Sequence, residues 1–521
     1  MSGKTGFEVN AAGRKVPVEA NGKTQIPFPG LGKQLPQGRK AAPPVRSAAY
    51  YPADGDKRVP DLKTALEKCG LKSGMTVSSH HHFRNGDFIA LKTLQAAAEI
   101  GARDLMWFPS ASFPCQAPVV DLMEQGVVHH IEGSMNGPLG DYCSQGKMKG
   151  LGVLRSHGGR WQAIQDGEIH VDIAVIAAPT ADPFGNCDGS HGPSACGSLG
   201  FALADSIYAD HVIAVTDNLV PFPCVPWQIQ GNNVDYVVEV DQVGDPSKIV
   251  SGTTQITRSP ERLRIAKQIA TLLRDAGIMK DGFSFQAGAG GIALAFVGYL
   301  KEMMRQDGVR ARFVRGGSTS YLVDLLNEGL TDYILDGQTF DLAGVASIGE
   351  NPRHLATSPF TSYNHHGKGN FASMVDAVVL GATEVDVNFN ANVVTHSDGR
   401  LLHGIGGWQN CLHSGCTILA IPSFRDRIPV IVDQVTTLTG PGELIDVVAT
   451  ERGIAINPRR TDLLDALKGS KLPIRPIEEI KAEVERFCGG PPQKPVLTDD
   501  PVAIIKWVDG TVLDTVWKVG K

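Results

Sequence analysis

Three loops in this 521-residue chain carry side chains suited to binding an anion or a carbonyl. The first, SSHHHFRNGD (78–87), offers His80, His81, His82 and Arg84 as hydrogen-bond donors at the end of a strand-like run. The second, RSHGGR (155–160), sets Arg155, His157 and Arg160 among glycines. Guanidinium groups bind carboxylates through paired, charge-assisted hydrogen bonds, so both loops suit an anionic substrate. An ordinary surface turn, or one buried histidine beside solvated ones, would look the same. The third loop, QAGAGG (286–291), follows Gln286 with Gly288, Gly290 and Gly291 between a strand-like and a helix-like run. Glycines there let backbone N–H groups converge beside the positive end of a helix, where a phosphate or a thioester oxyanion can bind. A tight turn that needs glycine for packing explains that pattern equally well. It is no dinucleotide fingerprint, because no acidic residue is placed for a ribose, and no G-K-[ST] marks a phosphate loop.

A metal is not expected at these positions. Consecutive histidines on an extended segment point to opposite faces, so His80, His81 and His82 do not chelate one ion together. Further along, LLHGIGGWQNCLHSGC (401–416) holds His403, Cys411, His413 and Cys416, whose spacing fits no zinc pattern and reads as packing and loop residues. Glu350, in SIGENPRH (347–354), is the acid to weigh as a nucleophile or base, or else as a solvated turn residue.

Such loops need a scaffold that holds strand ends and helix starts together, and the chain repeats one. LEKCGLKSGMTV (66–77) returns as LRDAGIMKDGFSF (273–285) at an offset of about 207. VDIAVIAAPTADPFGN (171–186) returns as VDAVVLGATEVDVNFN (375–390) at an offset of 204, and HVIAVTD (211–217) is matched to IPVIVDQ (428–434). A period this long means two fused, similar domains rather than a solenoid, with chemistry expected at their interface. Where the first copy has its histidine loop the second has its glycine loop, which suggests a division of labour.

Nearly continuous apolar runs such as VDIAVIAAP alternate with helical spacing such as DFIALKTLQAAAEIG. That alternation predicts an α/β fold of open, mostly parallel sheets covered by helices. Residues 1–57 read as an irregular arm able to pack on a partner, 58–258 as the first domain and 259–490 as the second. Residues 491–521 read as a linker and a β-hairpin around Asp509-Gly510, expected at the edge of the second sheet.

A net charge of -6 and a pI near 6.2 argue against nucleic acid as a partner. Apolar runs such as GGIALAFVGYL (290–300) are short of a bilayer span, and the N-terminus lacks a secretory h-region. Nine cysteines, with no C-x-x-C, fit a reducing cytoplasm.

Taken in order, VSSHHHFRNGD, RSHGGR, AAPTADPFGN with CGSLG, VDYVVEVD, GDPSKIVSGTTQITRSP, FSFQAGAGG, FNANVVTHSDGR and ERGIAINPRR resemble the citrate lyase alpha-subunit family, the citrate CoA-transferase component. The resemblance runs from about residue 58 to the C-terminus. It implies two tandem CoA-transferase-like domains that move an acyl group from an acetyl thioester to citrate, giving a citryl thioester and acetate. It implies, too, an acyl-carrier subunit bearing a CoA-like prosthetic group, and a lyase beta subunit that cleaves the citryl thioester. This chain has no carrier motif, so it is expected to hold no covalent cofactor and to act in a cytoplasmic oligomeric complex, with CoA thioesters as surrogates.

One stretch departs from the family. Members usually read Gly-Gly-His-Ser-Asp or Gly-Gly-His-Cys-Asp where this chain has Gly406-Gly407-Trp408-Gln409-Asn410. An acid has become an amide, and an indole has entered. Gly406, Gly407 and Trp408, with Gln286, are expected to border the thioester channel. A different acceptor such as citramalate therefore stays open, as do a thioester hydrolase, a glutamyl-thioester transferase and a non-catalytic scaffold.

The expected mechanism is direct attack of the acceptor carboxylate on the thioester, through a mixed anhydride. Amides of Gly288, Gly290 and Gly291 would stabilise each oxyanion by about 3–4 kcal/mol per donor, and the histidines and arginines of the other two loops would hold the acceptor. In glutamyl-type transferases the nucleophile lies on the strand after the glycine loop. Here that run, RARFVRGGSTS (310–320), ends in Gly316 and Gly317, and Glu350 comes too late to replace it, so no acyl-enzyme is expected.

Overall fold

Runs rich in valine, isoleucine and alanine become strands covered on both faces, and Ile173–Ala178 is buried at every position. The computed structural model describes residues 6–33, 43, 50–250 and 254–520. Its first large sheet has the order Val512–Val519, Leu497–Lys506, Gly152–Leu154, Val128–Gly133, Leu105–Pro109, Thr76–Ser79, Ile173–Ala178, His211–Thr216, Tyr236–Glu239, Arg58–Val59. The second has the order His354–Ala356, Ile334–Thr339, Phe313–Ser318, Ser284–Ala287, Ala377–Leu380, Thr417–Ala420, Val447–Thr450, Gly453–Ile456. Neighbours run parallel except the terminal pair Leu497–Lys506 with Val512–Val519 in one sheet, and Val447–Thr450 with Gly453–Ile456 in the other.

From Gly152–Leu154 to Tyr236–Glu239 the first sheet's order recurs strand for strand in the second, which is the internal repeat in three dimensions. One correspondence differs from expectation. The counterpart of His211–Thr216 is Thr417–Ala420, whereas the IPVIVDQ run forms Ile428–Pro429 and Ile431–Val432 in small side sheets. Two apolar runs of similar composition lie close together there, and position in the sheet decides between them.

Thr76–Ser79 lies between Leu105–Pro109 and Ile173–Ala178, and Ser284–Ala287 between Phe313–Ser318 and Ala377–Leu380. Each is the point where strand order reverses, and the crevice at the carboxyl ends of strands there is where α/β sheets bind ligands. The histidine loop leaves one of these ends and the glycine loop leaves the other.

Strand Ala377–Leu380 shows how the halves join. Ala377 and Val379 enter a core with residues of helices Pro260–Asp275 and Gly291–Asp307, while Val378 and Leu380 enter a core continuous with the first half. The two-residue side-chain period of a strand thus ties both halves together.

The C-terminal hairpin joins the first sheet and not the second: Ala503, Ile504 and Ile505 pair in parallel with Gly152, Val153 and Leu154. It closes an edge that would otherwise expose unpaired backbone groups. The described part of the N-terminal arm packs on this hairpin of its own chain. The Asn10 amide donates to the carbonyls of Val512 (3.0 Å) and Leu513 (2.7 Å), and Arg14 pairs with buried Asp514 at 2.6 Å. Among the described residues no helix is long and apolar enough to cross a membrane.

Candidate functional site

Alternation along the histidine loop splits its three rings between two environments. His80 and His82 lie parallel, with centroids 6.4 Å apart, and both face inward. The His82 Nε2 donates to the Ala177 carbonyl at 2.6 Å, and burial foremost pushes its pKa down to about 3. His80 Nε2 lies 3.2 Å from Asp205, whose carboxylate accepts two 2.7 Å hydrogen bonds from Arg160. His80, His82 and Arg160 therefore brace the strand ends.

His81 faces the opposite way, toward the second half. Gln338 of the second half donates its Nε2 to the His81 carbonyl at 3.1 Å, which leaves Gln338 Oε1 to accept from His81 Nε2 at 3.2 Å. The neutral ring then accepts the Ser110 hydroxyl at Nδ1 (2.6 Å) and stacks on His157 at 4.9 Å. Burial, then the neighbouring His157, His82 and Arg84, hold its pKa well below the usual value. His81 is therefore a neutral hydrogen-bonder, not a cation.

Arg84 is the cation of this loop that reaches the second half. Its φ of 53° is unusual for a non-glycine residue, and such conformations persist where the surroundings over-determine them, often at functional sites. The guanidinium stacks at 4.3 Å on Phe340 of the second half and lies 5.6 Å from Phe113. Nε and Nη1 are buried without a hydrogen-bond partner among the described residues. Burial lowers its pKa to about 10, so it stays charged at neutral pH.

Arg155 is placed differently from expectation. Its guanidinium donates to Glu132 at 2.9 and 3.1 Å and to Glu168 at 3.0 Å through two nitrogens. Burial opposes the charge, but Glu168 and Glu132 outweigh it and raise the pKa. With its donors bound to two carboxylates of its own chain, Arg155 is a structural ion pair. His157 starts the helix His157–Gln165, and its backbone N–H donates to the Gly406 carbonyl at 2.8 Å.

The second half supplies the facing wall. Gln286 accepts from Arg315 Nη1 at 2.6 Å and donates to Cys411 Sγ at 2.9 Å, and the Tyr363 ring lies 4.7 Å from the Arg315 guanidinium. Gly407 packs against the Tyr363 hydroxyl, and Asn410 accepts the Gly158 N–H at 3.0 Å, so the 406–411 loop spans both halves. This is where the amide at Asn410 acts: it caps a helix start, a task an acid could also perform.

In the glycine loop the three glycines part company. The Gly288 N–H donates to the Val379 carbonyl at 3.3 Å and is not free for an oxyanion. A side chain at Gly291 would meet the Gln255 carbonyl at 2.9 Å, so this glycine is needed for packing. Gly290 caps the 17-residue helix Gly291–Asp307 with φ -76°, a conformation open to any residue, and among the described residues no atom beyond its chain neighbours lies within 4 Å of where its side chain would be. It lines a cavity of about 790 Å³ with Gly381, Glu384, His403, Trp408 and Arg425, a size typical of ligand pockets. Trp408 is fixed there by an Nε1 hydrogen bond to the Gly381 carbonyl at 2.8 Å.

Cys411 and His413 separate, the first onto Gln286 and the second onto His365 at 5.0 Å. Among the described residues the one metal-spaced group is His170, Asp172 and Asp210, beside the starts of strands Ile173–Ala178 and His211–Thr216 and so at the opposite end of the sheet from the crevice. Glu350 ends the helix Leu342–Glu350 in an exposed position. Sequence reading missed Gln338, Arg315, Tyr363 and Phe340. The Gly316-Gly317 pair is the signal that marks them, since Gly317 leaves room for the Phe340 ring and Gly316, at φ 109°, packs on Gln286.

Comparison with known proteins agrees with this geometry. A family model described as "Citrate lyase, alpha subunit (CitF)" matches residues 55–519. The citrate lyase alpha chain of Haemophilus influenzae is 38% identical over 480 residues, covering 92% of this chain and 96% of the relative. That of Klebsiella pneumoniae is 39% identical, covering 88% and 90%. Among solved structures, an alpha subunit of citrate lyase from Streptococcus mutans in complex with citrate superposes with a TM-score of 0.94 at 39% identity, covering 98% of this chain and all of that one. A 4-hydroxybutyrate CoA-transferase from Porphyromonas gingivalis, 17% identical, shares the fold with a TM-score of 0.53 over 82% of this chain and 98% of its own. The chain belongs to the citrate lyase alpha-subunit family, the citrate CoA-transferase component of a multi-subunit enzyme.

Proposed function

We infer that the crevice between the two sheets binds citrate as acyl acceptor, with Arg84 and the neutral donors His81 and Gln338 on its carboxylates, and that the Gly290 cavity takes the acetyl thioester. The observation that carries this reading is Arg84: of the three arginines in the first two loops, Arg155 and Arg160 are bound to internal carboxylates, and Arg84 pairs with none among the described residues. A buried cation kept free at the mouth of both halves suits an anion that arrives with the substrate.

The thioester is presented by an acyl-carrier subunit bearing a CoA-like prosthetic group, or by CoA itself, with its arm in the cavity beside Trp408. The N–H groups of Gly290 and Gly291, which donate to no backbone carbonyl among the described residues, face the developing oxyanion, narrowing the expected donors from three glycines to two. No residue of this chain carries the acyl group. Acceptor carboxylate and thioester meet directly, and a closed site supplies proximity and excludes the water that would hydrolyse an anhydride. The citryl thioester passes to a lyase beta subunit within a cytoplasmic oligomer. Trp408 lines the Gly290 cavity, whose lining does not include Arg84.

A panel of hydroxy-carboxylic acids incubated with acetyl-CoA and the isolated chain tests this. Citrate is expected to give the fastest acetate release, with citramalate slower. Acetate release equal with and without acid would make the chain a hydrolase, and faster release with citramalate would change the acceptor.

A further inference from the structure

We propose that Arg315 is a catalytic residue, the guanidinium that holds the reacting carboxyl group throughout the transfer; this rests on the transferase reading above. Arg315 sits in strand Phe313–Ser318, between the strand that leads into the glycine loop and the strand that carries Gln338. It is fully buried. Nη1 is held by Gln286 and the Tyr363 ring covers one face, while Nε and Nη2 have no hydrogen-bond partner among the described residues. No ion pair is formed with it there either, unlike Arg155 and Arg160. The neighbouring Gly316 and Gly317 offer no carboxylate, and Gly317 leaves room for the Phe340 ring on which Arg84 stacks. Through Gly317 and Phe340 the strand of Arg315 thus meets Arg84 at the junction of the two halves.

An isolated buried charge is strongly unfavourable unless an anion joins it. The two free nitrogens on one edge of the guanidinium are arranged to bind a carboxyl oxygen. In the first step an acceptor carboxylate oxygen bonds to the acetyl carbon, the C–S bond breaks, and a mixed anhydride and a thiolate result. In the second, the thiolate sulfur bonds to the acceptor's carboxyl carbon and its C–O bond to the acetyl group breaks, releasing acetate. The acceptor's other carboxyl oxygen carries partial charge at the start, little in the anhydride, and a full charge when the thiolate adds. Arg315 donors on that oxygen bind the second tetrahedral state most tightly, so their effect falls on kcat.

The test is Arg315→Met and Arg315→Lys in the full chain, with acetyl-CoA and citrate. Both should lose about 10²- to 10³-fold in kcat. Arg315→Met, which removes an unpaired buried charge, should melt no lower than wild type without substrate, and added methylguanidinium should partly restore Arg315→Ala. A kcat within threefold of wild type in Arg315→Lys, or an Arg315→Met whose only change is a lower melting temperature, would overturn the assignment. If Arg315→Met fails to fold, kcat of Arg315→Lys and rescue of Arg315→Ala decide. Wild type that releases no acetate with any acid would instead remove the transferase reading itself.

Discussion

Gly290→Val is expected to cut acetate release from acetyl-CoA by at least about 10²-fold in a protein that keeps its fold. Glycine is not required at this position for backbone reasons: φ is -76°, which valine adopts without strain, and the space beside Cα is empty. The new side chain would instead project into the cavity it shares with Trp408, where the thioester must pass. Gly291→Ala provides the contrast, because its side chain would press on the Gln255 carbonyl and should lower stability as well. Circular-dichroism melting beside steady-state rates decides the matter. A folded Gly290→Val with wild-type activity would mean that the thioester approaches by another route.

Arg84→Ala should raise the KM for citrate by roughly 10- to 150-fold, the loss of a charge-assisted contact of about 1.5–3 kcal/mol, with the KM for acetyl-CoA changed far less. Among the described residues Arg84 pairs with no carboxylate, so its removal strands no buried charge there and stability should hold. Arg155→Ala should behave in the opposite way, because buried Glu132 would lose both guanidinium hydrogen bonds and keep, among the described residues, only His130 at 3.7 Å, at a cost of about 3–5 kcal/mol, read as a lower urea midpoint. An unchanged citrate KM in Arg84→Ala would take this loop out of the acceptor site.

The repeat, the parallel sheets and the positions of the histidine and glycine loops at strand ends were legible because each is a local pattern: a continuous apolar run, a glycine cluster after it, a helix start. What the local pattern could not show was who pairs with whom. Arg84, Arg155 and Arg160 read alike as cations in donor-rich loops, and only the fold brings Glu132, Glu168 and Asp205 to two of them. Gln338 lies 257 positions from His81 yet fixes its tautomer. The hairpin illustrates the same limit at the level of sheets. Asp509-Gly510 announced a turn, but its apolar strands carry no mark of which sheet edge they cover, and the open edge of Gly152–Leu154 took them. The glycine spacing also could not show that Gly290 takes an ordinary φ of -76° and faces open space rather than a neighbour.

The central claim, direct attack by the acceptor in the crevice between the halves, is tested most directly by following oxygen in a single turnover. Citrate labelled with ¹⁸O in its carboxylates, unlabelled acetyl-CoA and excess chain in ordinary water are mixed, and the acetate is analysed by mass. A mixed anhydride predicts acetate carrying one ¹⁸O from citrate, because the attacking oxygen leaves with the acetyl group. Unlabelled acetate, with its new oxygen drawn from water or from a carboxylate of the protein, would contradict the account.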